Sequence, residues 1–455
     1  MPEPQHDNYA LIPHSSAASV LLLKISAGWT LPQHSAREAP AINQAVREQL
    51  GLDVTLLRAV YDRYQDNERE EQHIVYALDN HSPAWKQPED GAWISAEELQ
   101  DLPMVVPEHR AVLEKWFAET SEEQQASERV PWACRGWYAG ATAWIQEQLS
   151  VYGYQLRAPI EQIHVRVWSC VLRVPTMTGD LYFKAASPAF AYEPVLTAGL
   201  AQLWPAHLPG VLAVDALRHW MLMEDAGTTL RRSEQARDLS AWAGLLDLFA
   251  RMQIDSAAHQ EQLLALGCPD RRLESLPALF DALLHDRPAL LIGQKEGLNE
   301  EEYAKLRDMG QEIKALCAEL AGYGIPEALH HDDFHDGNIM LKEGRYLFFD
   351  WAECALAHPF YSLIIVLRFA KHVLKCNEDD LARLRDAYLA PWTIYAPMAG
   401  LLPAFELAQR LGLLCRALTW HQTVSSLEES ERWAYASSVP WNLRSFLYYP
   451  RDLLV

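Results

Sequence analysis

The sequence predicts an α+β chain in two parts. Short apolar runs closed by turn residues recur through its first three quarters, and helix-length amphipathic patterns fill the last third. A polar, acidic stretch from Glu119 to Val130 carries almost no core-forming residue and reads as a linker. The expected boundaries are a first domain over 1–118, a linker over 119–130, a strand-bearing lobe over 131–228 and a helical lobe over 229–455.

Each element follows from its pattern. Ser19 to Lys24 is an apolar run of strand length, and Ala45 to Leu52 has helical spacing ending at Gly51. Trp137 to Leu149 repeats apolar residues at helical intervals and is expected as the first helix of the second part. Ile163 to Val174 reads as one strand or a bent pair, the turn Thr176-Met177-Thr178-Gly179-Asp180 follows, and Leu181 to Lys184 returns. Leu381 to Leu389 and Phe405 to Trp420 are amphipathic helices, punctuated by Pro391, Pro397 and Pro403. The aromatics of this region, Trp392, Tyr395, Trp420, Trp433, Tyr435 and Trp441, are expected mainly in the core.

Composition bounds the function. At 455 residues, 49% hydrophobic and 22% charged, the chain has the make-up of a soluble globular protein. Its net charge of −22 disfavours nucleic acid and anionic membrane surfaces as partners, since both call for a basic face. The 7 cysteines form no Cys-x-x-Cys pair and read as reduced core thiols. No apolar run approaches the length of a membrane span and the first residues lack a signal-peptide pattern, so a cytoplasmic location is expected.

The most informative stretch is 330–351, His-His-Asp-Asp-Phe-His-Asp-Gly-Asn followed by two apolar runs around Lys342-Glu343-Gly344-Arg345 and then Asp350-Trp351. The two runs form a hairpin signature, so Asn338 precedes one strand and Asp350 follows its partner. Three oxygen-bearing side chains, Asp333, Asn338 and Asp350, can then converge. Such a set suits Mg²⁺, which takes few protein oxygens and completes its shell with water and nucleotide phosphate. Moving a phosphoryl group needs positioning and charge neutralisation more than covalent help, which matches Asn338 and Asp350 as metal ligands and Asp333 as the group holding an acceptor hydroxyl. His331 and His335 also share the i, i+4 spacing of a zinc-protease motif. That motif needs a helix, and Asp336-Gly337-Asn338 breaks one, so both histidines are expected to brace the loop around Asp333.

On these residues the segment resembles the aminoglycoside phosphotransferase family, a branch of the protein-kinase-like fold. The family pattern His-Gly-Asp-Leu-His-x-x-Asn, then Ile-Asp-Trp, is matched by His331, Asp333, His335, Asn338, Asp350 and Trp351. Asp332 replaces the usual glycine, which implies either a cationic substrate or a backbone that tolerates the change, and Ala357-His358-Pro359 lacks an aspartate common in relatives. The resemblance implies a bilobal domain with a helical C-terminal lobe, ATP or GTP as phosphoryl donor, Mg²⁺, and a small-molecule acceptor.

It also implies upstream parts. Lys184 is the candidate for the nucleotide phosphates, with Glu193, at the opening of a helix, to orient it. Met223, Glu224 and Asp225 end an apolar strand in the position of the adenine-gripping hinge. Ser169 lies in the loop over the phosphates, where Val167-Trp168-Ser169-Cys170-Val171 contains no glycine. No Walker-type Gly-Lys-Ser/Thr run is present, which argues against a P-loop enzyme.

The first 118 residues resemble a Nudix domain, an α/β/α sandwich, through Ser19 to Lys24, Gly28 to Pro32, Ala45 to Leu52 and Ala92 to Leu99. Aligned on Gly51, the metal-binding Arg-Glu and Glu-Glu pairs of that family are here Gln44-Ala45 and Glu48-Gln49. One carboxylate, Glu48, is too little for a diphosphate-bridging metal cluster, which implies a fold kept without hydrolysis. The combined reading is a degenerate Nudix-like module fused to a small-molecule kinase. Its alternatives are a catalytically weak nucleotide-binding regulator and, third, Glu48-dependent hydrolysis by the first domain.

Overall fold

The computed structural model describes residues 7–63, 73–121 and 129–449, and the chain divides into two compact units, Met1–Ser187 and Pro188–Val455. Most of the expected linker, residues 122–128, lies outside the described residues, and Glu119 to Ser121 close a helix.

The first unit begins with β1 (Asp7–Leu11), β2 (Ser19–Ile25), β3 (Gly28–Thr30), β4 (Gln33–His34), α1 (Ala39–Leu50), β5 (Val54–Arg63), β6 (His73–Asn80), β7 (Gly91–Ser95), α2 (Ala96–Leu99) and α3 (Glu108–Ser121). Two sheets form, ordered β4-β1-β6-β5 and β3-β2-β7, and β1 runs parallel to β6. Successive strand residues point to opposite faces, so a sheet covered on both sides needs apolar residues at consecutive positions. Tyr9, Leu11, Val20 and Leu22 pack with Leu113 and Trp116 of α3, whereas Ala10, Ile12 and Leu21 pack with Ile42 and Val46 of α1. The result is a helix on each face of the sheets. Helix α1 starts with a proline in its first turn and stops at Gly51, whose φ of 67° lets the chain leave the helix in the left-handed region.

The same unit continues with α4 (Trp137–Tyr152), β8 (Glu161–Val165), β9 (Ser169–Thr176) and β10 (Gly179–Ala186), the last three an antiparallel meander. Of the two readings of 163–174, the bent pair is correct, because Arg166 to Trp168 turn the chain. The meander is tied to the N-terminal sandwich by one side chain. Gln162, 4% exposed, donates to the Leu56 carbonyl (2.9 Å) and accepts from the Leu56 amide (2.8 Å) and from Asn43 Nδ2 (3.1 Å). Its amide acts as an extra ladder partner where β5 bulges between Leu56 and Arg58. Arg166 with Glu38 (3.2 Å) and the Gly136 amide with Asp79 (2.8 Å) add polar ties.

The second unit contains α5 (Glu193–Leu203), β11 (Val211–Asp215), β12 (Trp220–Glu224), β13 (Thr228–Thr229), α6 (Leu239–Ser256), α7 (Gln260–Ala265), α8 (Leu276–His285), α9 (Glu300–Asp308) and α10 (Gly310–Gly322). Then come β14 (Ala328–His331), β15 (Ile339–Lys342), β16 (Arg345–Phe348), β17 (Cys354–Ala357), α11 (Leu363–Phe369), α12 (Glu378–Leu389), α13 (Met398–Ser425), α14 (Glu429–Arg432) and α15 (Ser438–Leu447). Short strands in two small sheets, β13-β15-β16 and β14-β17, are set into a helical core. Pro403 does not punctuate a helix as expected; it sits inside α13, near enough to the N-terminus to spare most of the hydrogen-bond ladder. Of the aromatics, Trp392 is fully buried, but Tyr395, Trp433 and Trp441 are exposed. All 7 cysteines are free and 5 of them are buried. Among the described residues no helix is long and apolar enough to cross a membrane.

Candidate active site

The hairpin β15–β16 places the candidate ligands. Ile339 pairs with Phe348, and the Phe349 amide donates to the Asn338 carbonyl at 2.9 Å. Asn338 and Asp350 therefore leave adjacent strands at the same end. Asp350 is held at φ 62°, ψ 66°, a left-handed conformation that a non-glycine residue adopts only when its surroundings impose it.

Asp333 lies in the loop between β14 and β15, its side chain 35% exposed. Asn338 Nδ2 donates both to the Asp333 carbonyl (2.9 Å) and to its carboxylate Oδ2 (3.0 Å). That use of the amide nitrogen leaves Asn338 Oδ1 as the group's outward acceptor. His335 Nε2 approaches the same Oδ2 at 3.2 Å, so two donors fix one carboxylate oxygen. Burial opposes ionisation of Asp333, yet His335 outweighs it and the carboxyl lies below its ordinary range. His335 itself is raised to about 9, as Asp333 and Asp336 together overcome burial. Its Nδ1 accepts the Gly337 amide at 2.9 Å, so a second proton there has to displace that bond in favour of Asp336 at 3.6 Å.

His331 braces the loop as expected. It is fully buried, its Nε2 donates to the Phe349 carbonyl (2.9 Å) and its Nδ1 accepts the Asp333 amide (3.2 Å). Burial keeps it neutral. Arg231 adds a second brace, donating through Nε (3.0 Å) and an Nη (2.8 Å) to Asp336 while its amide takes the Asp336 carbonyl.

Asp332 resolves differently from either alternative. It is 2% exposed and faces inward. Arg416 on α13 donates to Asp332 Oδ1 at 3.1 Å and to its carbonyl, Thr419 donates to Oδ2 at 2.6 Å, and His330 Nε2 stands 3.3 Å from Oδ1. Arg271 donates in turn to Thr419. Burial works against the carboxylate, but Arg416 and His330 hold it well below its usual range. The charge that replaces the glycine is thus neutralised within the protein and is not offered to a substrate. His358, in the place of the missing aspartate, is fully buried, pushed down to about 3 by burial, and accepts the Phe360 amide at the start of the next turn.

Of the upstream candidates Ser169 departs from the loop expected of it, because that loop is only Arg166 to Trp168 and Ser169 already pairs with Ala186 in β9. Lys184 is on β10, 2% exposed, opposite Val171, and Ser169 is the first residue of β9, 4% exposed. In the second unit, Glu193 opens α5 and is 1% exposed. Met223 and Glu224 end β12, Met223 buried and Glu224 exposed, and Asp225 follows, its carbonyl taking Lys342 Nζ at 2.6 Å. Gly227, at φ 89°, is required there, because a Cβ would lie 2.4 Å from the Leu341 carbonyl oxygen. In the first unit, Glu48 is exposed and accepts from Gln44 at 2.7 Å.

The ligand set fits a hard divalent cation. Asn338 Oδ1 and the Asp350 carboxylate are oxygen donors, and no sulfur or imidazole replaces them. Among the described residues no three His, Cys, Asp or Glu side chains gather as a metal site. Sequence reasoning missed Arg416, Thr419, Arg231 and Glu353. The Glu353 carboxyl is raised well above its range by burial and by Asp333, Asp332 and Asp350. One signal was available: Arg416 interrupts the apolar run Leu411 to Leu418, and a lone cation in a buried helix face needs an anion.

The model of the phosphotransferase enzyme family matches residues 170–401, just over half of the chain. No curated protein matches. Among solved structures, an ethanolamine kinase from Plasmodium vivax is 13% identical at a TM-score of 0.48, with 67% of this chain and 90% of that one covered. A choline/ethanolamine kinase family protein from Mesorhizobium loti is 19% identical at 0.45, covering 68% and 95%. The ORF135 protein of E. coli is 21% identical at 0.22, covering 26% of this chain and 93% of its own.

Proposed function

The chain belongs to the phosphotransferase enzyme family, and from that membership we propose that it moves the γ-phosphoryl group of ATP or GTP to a hydroxyl of a small molecule. The acceptor class is a sugar, an amino alcohol or an aminoglycoside-like compound. The observation that carries this reading is the Asp333 carboxylate, with Oδ2 held by Asn338 and His335. Asp333 accepts a hydrogen bond from the acceptor hydroxyl, orients its lone pair and takes its proton as the phosphoryl group transfers. Asn338 and Asp350 hold Mg²⁺, which when bound neutralises phosphate charge. Lys184, oriented by Glu193, contacts the nucleotide phosphates beside Ser169, and the Met223 to Asp225 backbone receives the base. The N-terminal sandwich is a Nudix-like module retained without hydrolysis, Glu48 being a single exposed carboxylate.

The test is transfer of label from γ-labelled nucleotide to a pool of sugars, amino alcohols and aminoglycosides. A labelled product that disappears with Asp333→Ala is expected. Nucleotide binding with no product from a broad pool favours a regulator instead.

A further inference from the structure

A cavity of about 350 Å³ lies within the helical lobe, walled by α11, α12, α13 and α15. That volume is in the range of small-molecule sites. Its lining runs against the composition of the chain. With 61 acidic and 39 basic residues overall, a pocket here should on average collect more carboxylates than cations. This one is lined by Arg368, Lys371, His372 and Arg385 and, among the described residues, by no Asp or Glu.

Two of the cations have no carboxylate of their own. Arg385 is paired with Asp386 at 2.8 Å, but no described acidic side chain forms an ion pair with Arg368 or Lys371. Arg368 instead lies over the Trp441 ring at 4.7 Å. Burial pulls its guanidinium down to about 10, with Arg416 adding repulsion and Asp332 a partial offset. It therefore stays charged at neutral pH while half-buried. Two neutral groups add unmet capacity. Tyr449 and Gln409 are among the lining residues, and the Tyr449 hydroxyl and Gln409 Oε1 are buried with no hydrogen-bond partner among the described residues; Gln409 as a residue is 2% exposed. The nearby carboxylate of Glu406 acts on Tyr449 but does not line the space.

The backbone carries an independent mark. Ala370–Leu374, which holds Lys371 and His372, is π-helical and ends at Lys375 in a left-handed conformation of φ 61°. Wider turns of this kind re-aim side chains and concentrate at functional positions.

We infer that this cavity binds a small organic anion, its carboxylate or phosphate received by Arg368 and Lys371 with the Tyr449 hydroxyl, and a hydroxyl of the same ligand donating to Gln409 Oε1. A half-buried guanidinium and an exposed ammonium supply charge-assisted bonds with no carboxylate to displace.

The test is thermal shift and calorimetric titration of the full chain with citrate and malate, with glucose 6-phosphate and glycerol 3-phosphate, and with acetamide and tetramethylammonium as neutral and cationic controls that carry no acceptor hydroxyl. Titrations are run in a Lys184→Met background so that the proposed nucleotide phosphate site does not contribute. Stabilisation by one of the anion sets and by neither control is expected, and the set that binds identifies the anionic group. Arg368→Gln should weaken binding about tenfold or more, and Lys371→Gln by several-fold. Lys371 is exposed, so its variant keeps the fold if Arg368→Gln does not. Absence of anion binding, or binding unchanged by Lys371→Gln and Arg368→Gln, overturns the inference and leaves the phosphotransferase reading untouched.

Discussion

The loop at 331–338 and helix α1 both hold polar residues against an apolar scaffold, and they differ in what lies behind those residues. In the loop each carboxylate has a partner: Asp333 has Asn338 and His335 of the same loop, while Asp336 has Arg231 and Asp332 has Arg416 from other elements. On α1, Glu48 meets only Gln44 of its own helix, and Arg47 meets Asp53 in the open, both side chains 60% exposed. The scaffold of α1 rests on Ile42 and Val46, which face the sheet. A surface of that kind can lose its polar residues while the sandwich persists, whereas the loop cannot lose one without stranding another.

That contrast can be broken by substitution. Asp333→Ala is expected to lower phosphoryl transfer by about 10²–10⁴-fold with nucleotide affinity retained, measured by steady-state kinetics and calorimetry. Glu48→Ala should change neither; a matching loss there would refute the division of labour.

Stability should follow the same division. Arg416→Met leaves Asp332 buried without its cation and should cost about 3–5 kcal/mol in denaturant unfolding. Adding Asp332→Asn should recover part of it. Removing the exposed Arg47 should cost at most about 1 kcal/mol.

Between these extremes stands Gln162, buried and bonded twice to the Leu56 backbone. Gln162→Ala should cost about 1–3 kcal/mol, because it strands a buried amide and a carbonyl. Hydrogen exchange at the Leu56 amide should accelerate; an unchanged rate would show that solvent or a neighbour replaces the glutamine.

The last expected effect is pH-dependent. His330 is fully buried, and although burial opposes its charge, Asp332 and Cys415 raise it to about 9. Because the folded value exceeds the ordinary 6.5, its contribution is complete below about pH 6.5 and fades as pH rises through about 9. Melting temperature should fall across that window, and His330→Asn should flatten the profile.

Much of this was legible in the chain. The order of strands and helices, the hairpin that carries Asp350 and the loop-bracing role of His331 all follow from short-range pattern. Asp332 was misjudged because its partner lies 84 residues away on α13, a separation that no local spacing encodes. The exposed Trp433 and Trp441 defied composition for the same reason, since burial depends on what packs against a ring.

By itself the sequence determined periodicity, turn positions and the chemical types in the loop, because alternation, helical spacing and glycine or proline placement act within a few residues. Only the tertiary structure decided which charges are neutralised internally and which remain for a ligand. Pairing of buried charge depends on the approach of distant elements, so Asp332 is closed off by Arg416 while Arg368 is left without a carboxylate.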